Sequence, residues 1–203
     1  MTGIIDYGVG NLFSLRSSLA YIGETRTVSA DEEQLHRADR IILPGVGAFG
    51  DAAEKLREQG LDRFVRREAE AGKPLLGICL GMQLLFESSE EFGDHKGLGL
   101  LQGKVVAMEG RLPEQLKIPH IGWNGLIRKR DHALISGIPD GSCVYFVHSF
   151  YASGCDDSLV AVTEYGQELT AIVANDKVMG CQFHPEKSGP TGLQILRNFC
   201  KME

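Results

Sequence analysis

A cysteine set between two glycines is the first feature of the sequence that could do chemistry. Cys79 lies in "GICLGM", with Gly77 and Gly81 on either side, in a stretch that is otherwise almost entirely apolar. We expect a buried strand over "PLLGI" to end here and a helix to begin at Leu80, which makes G-x-C-x-G a nucleophile elbow. Glycine suits this turn because its neighbours lie close against the sheet. The free amides at the helix start favour a thiolate, and the Leu80 amide would face a developing oxyanion.

A histidine and a glutamate further along the chain could complete a catalytic triad. His184 occurs in "GCQFHPEKSG", where we expect it to end a strand, because Pro185 keeps the preceding residue out of the α region. Glu186 follows two positions later, and in extended backbone such residues point to the same side. Its carboxylate could therefore fix the tautomer of the imidazole and stabilise the imidazolium.

Each of these residues also has a plainer interpretation. A free cysteine is often a small core residue, and a strand-end histidine followed by a solvent-facing glutamate is ordinary. Among the other histidines, we expect His36, His95 and His132 to be solvated because they lie in polar stretches. His120 and His148 have apolar neighbours, so we expect core or loop positions for them. The combination of an elbow cysteine with a histidine and an acid favours catalysis.

A second glycine cluster has two possible uses. "ILPGVGAFGD", residues 42–51, contains G-x-G-x-x-G after the predicted strand "RIIL". A dinucleotide-binding loop would need an acidic residue about twenty residues further on, at the end of the next strand. That strand ends instead at Cys79, and "RIIL" is already the third strand of the chain. The pattern favours a loop that offers a second backbone amide, from Val46, to the same oxyanion.

These residues need a sheet whose strands end at one edge. "GIIDY", "ETRTVS", "RIIL" and "PLLGI" are predicted strands, and they alternate with helical patterns. Asn11 is predicted to cap the first helix, which ends at Gly23, and residues 51–71 are predicted to be helical with a break at Gly60. This alternation predicts an α/β fold with a mixed, mostly parallel sheet flanked by helices.

Strand patterns dominate the second half of the chain. "KVVAM", "SCVYFVHSF", "LVAVTEY" and "LTAIVA" are predicted strands, and "ND" leads into "KVMGCQFH" as a hairpin. We therefore expect an antiparallel extension of the sheet, closed by a last helix over residues 192–201. No repeat or long linker divides the sequence, so residues 1–203 are predicted to form a single domain.

Composition argues against several classes of protein. The 203 residues are 43% hydrophobic and carry a net charge of -6, which gives no attraction to nucleic acid or to an anionic membrane. The longest apolar run is too short to span a bilayer, and "MTGIIDYGVGNLFS" lacks the basic start of a signal peptide. Five cysteines without ligand spacing predict neither a disulfide framework nor a metal site. We expect a cytoplasmic protein.

With "GICLGMQ", "PGVGAFG" and "HPEKSG" in place, the chain resembles the class I (triad) glutamine amidotransferase family over nearly its whole length. "DYGVGN", "PHIGWN" and "YFVHSFY" resemble one branch of it, the glutaminase subunits of imidazole glycerol phosphate synthases of histidine biosynthesis. Two positions depart from common family patterns: Met82 stands where many members have histidine, and Phe150 where many relatives have tyrosine. For Phe150 the resemblance therefore implies only a main-chain role.

The resemblance implies a triad and an oxyanion site. Cys79 would be the nucleophile, His184 the general acid and base, and Glu186 the residue that orients His184. Val46 and Leu80 would supply the oxyanion amides. No cofactor is implied.

Two further sets of residues follow from the resemblance alone. The implied glutamine-binding residues are Gly47, Gln83, Glu91 and the backbone around Ser149 and Phe150. The implied docking residues, which would meet a partner subunit, are Asn11, Trp123, Tyr145 and Lys187. Without the resemblance, the docking residues would be interpreted as a helix cap, a lone tryptophan in a loop, a strand tyrosine and a surface lysine.

The implied reaction is hydrolysis of glutamine to glutamate and ammonia through a cysteine thioester. A separate (β/α)-barrel cyclase subunit would form a heterodimer with the chain and receive the ammonia. It would make imidazole glycerol phosphate and an aminoimidazole carboxamide ribonucleotide. The alternatives are a glutaminase subunit of another amidotransferase, a cysteine hydrolase that works without a partner, and a non-catalytic interaction subunit.

Overall fold

The computed structural model describes residues 1–202. Its strands are β1 (Thr2–Ile5), β2 (Arg26–Ser29), β3 (Arg40–Leu43), β4 (Leu75–Ile78), β5 (Ser88–Ser89), β6 (His95–Lys96), β7 (Lys104–Ala107), β8 (His120–Arg128), β9 (Cys143–His148), β10 (Phe150–Ser153), β11 (Leu159–Glu164), β12 (Glu168–Asn175) and β13 (Val178–Cys181). Its helices are α1 (Leu12–Tyr21), α2 (Glu32–His36), α3 (Phe49–Glu58), α4 (Leu61–Glu70), α5 (Leu80–Leu84) and α6 (Gly189–Phe199). Single 3-10 turns lie at Ala133–Ile135, Asp156–Ser158 and Pro185–Lys187.

The main sheet has nine strands in the order β2-β1-β3-β4-β13-β12-β11-β8-β9. Neighbours from β2 to β13 run parallel, and neighbours from β13 to β9 run antiparallel. Parallel neighbours need crossover connections, which helices supply in the first half of the chain, whereas antiparallel neighbours can be joined by short turns. The predicted α/β fold with an antiparallel extension is confirmed, including the hairpin of β12 and β13.

Helices cover both faces of the parallel half. The strands β1, β3 and β4 are buried along their whole length, as expected for strands covered on both sides. On one face Ile4 lies in a core with Leu15 of α1 and Leu196 of α6. On the other face Ile5 lies in a core with Phe64 of α4. Successive side chains of β1 therefore pack into the cores on opposite faces of the sheet, because side chains alternate along a strand.

A second sheet, in the order β10-β7-β5-β6, was not predicted. The prediction of one strand over "SCVYFVHSF" was wrong, since β9 ends at His148 in the main sheet and β10 begins at Phe150 in the second. The interpretation of Trp123 as a loop residue was also wrong, because Trp123 lies within β8. The strands β5 and β6 have two residues each, which is too short for a periodic pattern to form.

The helix predictions differ from the structure mainly at the ends. The break at Gly60 is confirmed, with φ of 73° between α3 and α4. Helix α6 begins at Gly189, earlier than predicted, because Pro190 fits the first turn of a helix. The five-residue α2 was not predicted, although Asp31 caps it by accepting a hydrogen bond from the Gln34 amide. Within residues 1–202, no helix is both long and apolar enough to cross a membrane.

Candidate functional site

The predicted nucleophile occupies a sharp turn between strand and helix. Strand β4 ends at Ile78 and α5 begins at Leu80, so Cys79 alone forms the connection, with φ of 54° and ψ of -112°. A Cβ on Gly77 would lie 2.6 Å from the Gly81 carbonyl oxygen, and a Cβ on Gly81 would collide with the carbonyl of the neighbouring β3. Both glycines are required because the turn presses α5 against the sheet.

His184 and Glu186 are brought together, but not by the strand geometry that the sequence suggested. Strand β13 ends at Cys181, so the prediction that His184 ends a strand was wrong. His184 is still extended and donates its amide to the Tyr145 carbonyl at 3.0 Å. Glu186 lies in the 3-10 turn Pro185–Lys187, and this turn brings its Oε1 to 2.8 Å from His184 Nδ1. Both side chains are only 3% exposed.

The imidazole of His184 faces both the carboxylate and the thiol. Burial, the largest single effect, lowers the pKa of His184, but its hydrogen bonds to Cys79 and Glu186 outweigh burial and raise this pKa to about 10. The charged, imidazolium form of His184 is thereby favoured.

A glutamine that sequence analysis missed also contacts the thiol. Gln182 is fully buried and its Nε2 donates to Cys79 Sγ at 3.8 Å. Its Oε1 accepts a hydrogen bond from Gln83 Nε2 at 3.0 Å, and the same Gln83 nitrogen donates to the Phe150 carbonyl at 3.1 Å. The only hint in the sequence was a polar residue between the apolar Cys181 and Phe183.

The second glycine cluster forms a loop over residues 44–48 between β3 and α3, here called the glycine loop, which lies directly against the elbow. A Cβ on Gly45 would lie 2.8 Å from the Gly81 amide and 2.9 Å from Leu80 Cβ. Val46, the next residue, is partly exposed, and Gly47 has φ of 94°. The structure therefore brings the two segments that carry the predicted oxyanion amides next to each other.

Tyr7 supports this loop and was not predicted. Its hydroxyl donates to the Pro44 carbonyl at 2.8 Å and also lies against Gly45. The side chain is fully buried, and burial, together with the charge of nearby Cys79, raises the pKa of Tyr7. Tyr7 belongs to "DYGVGN", whose strand pattern could not show that the tyrosine reaches a loop 37 residues away.

Glu91 and Phe92 lie beside the same loop. Glu91 Oε2 accepts a 2.7 Å hydrogen bond from the Phe49 amide at the start of α3, and burial raises the pKa of Glu91. The exposed Phe92 ring meets the Phe150 ring edge-on at 6.3 Å. A cavity of about 390 Å³ opens between Ala48, Glu91 and Phe92. Within residues 1–202, no group of histidine, cysteine, aspartate and glutamate side chains could hold a metal ion.

The histidine environments agree only partly with expectation. His36 is exposed beside Glu68, as predicted. Of the core and loop positions expected for His120 and His148, the structure shows the core, since both are buried in strands. The prediction of solvated His95 and His132 was wrong, since both are half-buried. His95 lies 6.5 Å from the Phe49 ring, and His132 accepts a hydrogen bond from the Leu134 amide at 3.1 Å.

Three of the four residues predicted to dock a partner form one surface cluster. Trp123 and Tyr145 are paired across β8 and β9, with ring centroids 6.0 Å apart. Lys187 Nζ lies 5.8 Å from the centre of the Tyr145 ring. Trp123 is 54% exposed, which is unusual for so large an apolar side chain. Asn11 caps α1 by accepting from the Ser14 amide at 3.4 Å, and α1 packs against the turn that carries Lys187.

A family model described as glutamine amidotransferase class-I matches residues 3–202. The chain belongs to the class-I glutamine amidotransferase family. Proteins named imidazole glycerol phosphate synthase subunit HisH are similar to this amidotransferase over almost their full length. The one from Sulfurimonas denitrificans is 51% identical, with 99% of this chain and 98% of that protein covered. The one from Methanosarcina mazei is 52% identical, with 98% and 97% covered.

Solved structures share the fold of this amidotransferase at low sequence identity. A crystal structure described as a glutamine amidotransferase has a TM-score of 0.75 at 21% identity, covering 98% of this chain and 96% of the other. The structure of PurLQS from Thermotoga maritima has a TM-score of 0.74 at 22% identity, with the same coverage. These neighbours support the fold only.

The comparisons confirm the sequence-based assignment of family and activity. This amidotransferase is an enzyme of the glutaminase type and belongs to the HisH group of imidazole glycerol phosphate synthase subunits. Its relatives are named as subunits, so they work within a larger synthase.

Proposed function

We propose that Cys79, His184 and Glu186 hydrolyse glutamine and that the ammonia passes to a partner cyclase. The observation that carries the proposal is the buried 2.8 Å pair of His184 Nδ1 and Glu186 Oε1, set beside a cysteine on a strand-to-helix elbow. This arrangement supplies a nucleophile, a base and the group that orients the base.

The reaction would proceed in two halves. In the first, the Cys79 thiolate attacks the carboxamide carbon of glutamine, and the His184 imidazolium gives its proton to the departing ammonia. A glutamyl thioester remains. In the second, neutral His184 takes a proton from water as the water oxygen attacks the thioester carbon. Glutamate leaves, and the thiolate and imidazolium are restored.

The oxyanion of each half-reaction would be held by the amides of Leu80 and Val46. Leu80 is the first residue of α5, so its amide has no partner within the helix. The Val46 loop lies against that helix start, and Gly47, with φ of 94°, gives it conformational freedom.

The substrate would bind between the glycine loop and the segment 149–150. Gln83 and the Phe150 carbonyl are joined to each other and, through Gln182, to Cys79. Glu91 lines the cavity that opens beside Ala48 on the other side, and Gly47 directly precedes Ala48 in the glycine loop. Glu91 supports the site by capping α3, and we propose that it also contacts glutamine.

The partner would be the cyclase subunit of imidazole glycerol phosphate synthase, in a heterodimer. We propose that it docks on Trp123, Tyr145 and Lys187 together with the capped start of α1 at Asn11. An exposed tryptophan with an aromatic and a cationic neighbour has the composition of an interface centre.

We also propose a cytoplasmic location and a single domain. All five cysteines are free, and unpaired thiols persist in reducing compartments. Val105 and Ala152 of the second sheet lie in the same apolar core as Ile5 of the main sheet, which supports one folding unit.

Glutamate release from glutamine tests the proposal. The purified chain would be assayed alone and with its cognate cyclase plus the ribonucleotide ligand of that cyclase. We expect strong stimulation that Cys79→Ala abolishes and that Cys143→Ala, a control at an exposed thiol, retains. Absence of glutamate in the presence of both cyclase and ligand would contradict the proposed function.

A further inference from the structure

Two buried histidines outside the triad form a pair. His120 on β8 lies opposite His148 at the end of β9, and His120 Nδ1 is 3.0 Å from His148 Nε2. Neither ring is appreciably exposed. The His120 ring is stacked between Tyr165, at 4.0 Å, and Phe146, at 4.9 Å, so it has little freedom to rotate.

The outer nitrogens of the pair both face hydrogen-bond acceptors. His148 Nδ1 lies 2.9 Å from the Phe150 carbonyl oxygen. His120 Nε2 lies 3.1 Å from Asn124 Oδ1. The orientation of the Asn124 amide is fixed, because its Nδ2 donates to the Glu164 carbonyl at 2.9 Å. Each outer nitrogen must therefore carry a proton for its contact to be a hydrogen bond.

Counting protons shows that this arrangement is one proton short when both rings are neutral. The contact between the two rings needs a third proton, but two neutral imidazoles carry only two. Burial lowers the pKa of His148 to about 3 and also lowers the pKa of His120. The neighbouring His184, an imidazolium in the proposed mechanism, further opposes a positive charge on His148. A neutral pair must therefore leave one of its three contacts without a proton.

The histidine pair lies between β8, the strand that carries Trp123, and the proposed nucleophile Cys79. At one end, His120 and Asn124 flank Trp123 on β8. At the other end, the Phe150 carbonyl oxygen lies 2.9 Å from His148 Nδ1 and accepts a hydrogen bond from Gln83 Nε2, and Gln83 continues through Gln182 to Cys79. A continuous chain of hydrogen-bond contacts thus runs from β8 to the thiol.

We propose that His148, supported by His120, is a positioning residue that fixes the glutamine-binding segment 149–150 by donating to the Phe150 carbonyl. Because the neutral pair is one proton short, this bond competes with the bond from His120 to Asn124. Docking at the neighbouring Trp123 that turns the Asn124 side chain away from His120 frees the His120 proton for the inner bond and secures the bond to Phe150. The inference rests on the proposed function, since it describes regulation of the same site.

Two matched substitutions of His148 test the contributions of its two ring nitrogens separately. The amide of asparagine lies near the position of Nδ1, whereas that of glutamine lies near the position of Nε2. In the complex with the cyclase and its ligand, we expect His148→Gln to raise the KM for glutamine about tenfold with a smaller change in kcat, as for one lost hydrogen bond. In the separate variant His148→Asn, the KM for glutamine should stay within about threefold of the wild-type value. Equal KM values for the two variants would overturn the inference.

Asn124→Ala tests the competition for protons. Without the Asn124 acceptor, two protons suffice for the two remaining contacts, so the bond to Phe150 is satisfied in a neutral pair. We expect the KM of the free chain for glutamine to fall about threefold and the ratio of KM values without and with partner to shrink. An unchanged KM would contradict the competition.

Imidazole NMR of the full chain labelled with 15N-histidine gives a readout independent of the variants. We expect the His148 proton on Nδ1 in the complex, assigned by loss of its signals in His148→Asn. A proton only on Nε2 of His148, both free and in complex, would overturn the inference. Wild-type glutamate release in the same samples tests the proposed function separately, because the tautomer is observed whether or not glutamine is hydrolysed.

Discussion

Lys187 Nζ lies 5.8 Å from the centre of the Tyr145 ring, and Lys187 is the residue directly after Glu186. The Tyr145 carbonyl in turn accepts the amide of His184. One short turn therefore carries both the acid of the proposed triad and a residue of the proposed docking surface. A partner that moves this turn would act directly on the orientation of the imidazole.

Removing the charge of Glu186 should change how activity depends on pH. Glu186→Gln removes one of the interactions that raise the pKa of His184 to about 10, while burial continues to lower it. The imidazolium should then be lost at a lower pH, so the alkaline limb of kcat/KM shifts downward. The profile would be measured in the complex with the cyclase and its ligand. An alkaline limb at the wild-type position would show that Glu186 does not stabilise the charged imidazole.

A methyl group at Gly81 should destabilise the fold. Gly81→Ala places a Cβ against the Leu43 carbonyl oxygen, and the backbone of β3 has no room to move, so we expect a loss of about 3 kcal/mol. Gly72→Ala is the matched control, because its Cβ would meet open space and only its φ of 81° opposes alanine. That control should lose about 1 kcal/mol.

Urea unfolding of both glycine variants gives the comparison directly. Similar losses at the two positions would mean that the elbow tolerates a wider separation of α5 from β3 than the structure indicates.

Trp123→Ala should weaken the complex without altering the fold of the free chain. A half-exposed tryptophan at the centre of an interface commonly contributes about 2 kcal/mol, which corresponds to about a thirtyfold rise in Kd. Calorimetric titration with the cyclase measures this change. Tyr21→Ala is the control, since Tyr21 is also exposed but lies at the end of α1 away from Asn11. A Kd that is unchanged by Trp123→Ala and raised by Tyr21→Ala would place the interface elsewhere.

Tyr7→Phe should loosen the glycine loop. The change removes only the hydroxyl that donates to the Pro44 carbonyl, so we expect a stability loss of about 1 kcal/mol. If the loop supplies an oxyanion amide, kcat should fall several-fold with little change in KM. Steady-state kinetics of the complex, with Tyr21→Phe as the surface control, would show the difference. A change confined to KM would instead assign the loop to substrate binding.

Local patterns carried enough information to locate the elbow and the parallel half of the sheet. The glycines around Cys79 are adjacent to it in sequence, and the close approaches that require them follow from a tight turn. The pair of His184 and Glu186 was also local, although a 3-10 turn rather than an extended strand brings the two side chains together.

The features that were missed depend on contacts between distant parts of the chain. Gln182 meets Cys79 across 103 residues, and its role exists only because β13 pairs beside β4. Ser149 separates two strands of different sheets, yet nothing in the alternation of "SCVYFVHSF" marks the change of partner. The helix α2 has five residues, fewer than two full turns, so its apolar period could not be recognised.

The φ of 54° at Cys79 places backbone strain on the residue that we propose as the nucleophile. An L-amino acid in this region of backbone space costs about 1 kcal/mol or more that glycine would avoid. Glycine would relieve this strain but would leave a void in the core, where Cys79 is buried. With Cys79 as the proposed nucleophile, the strained turn is a local cost in stability that the proposed reaction requires.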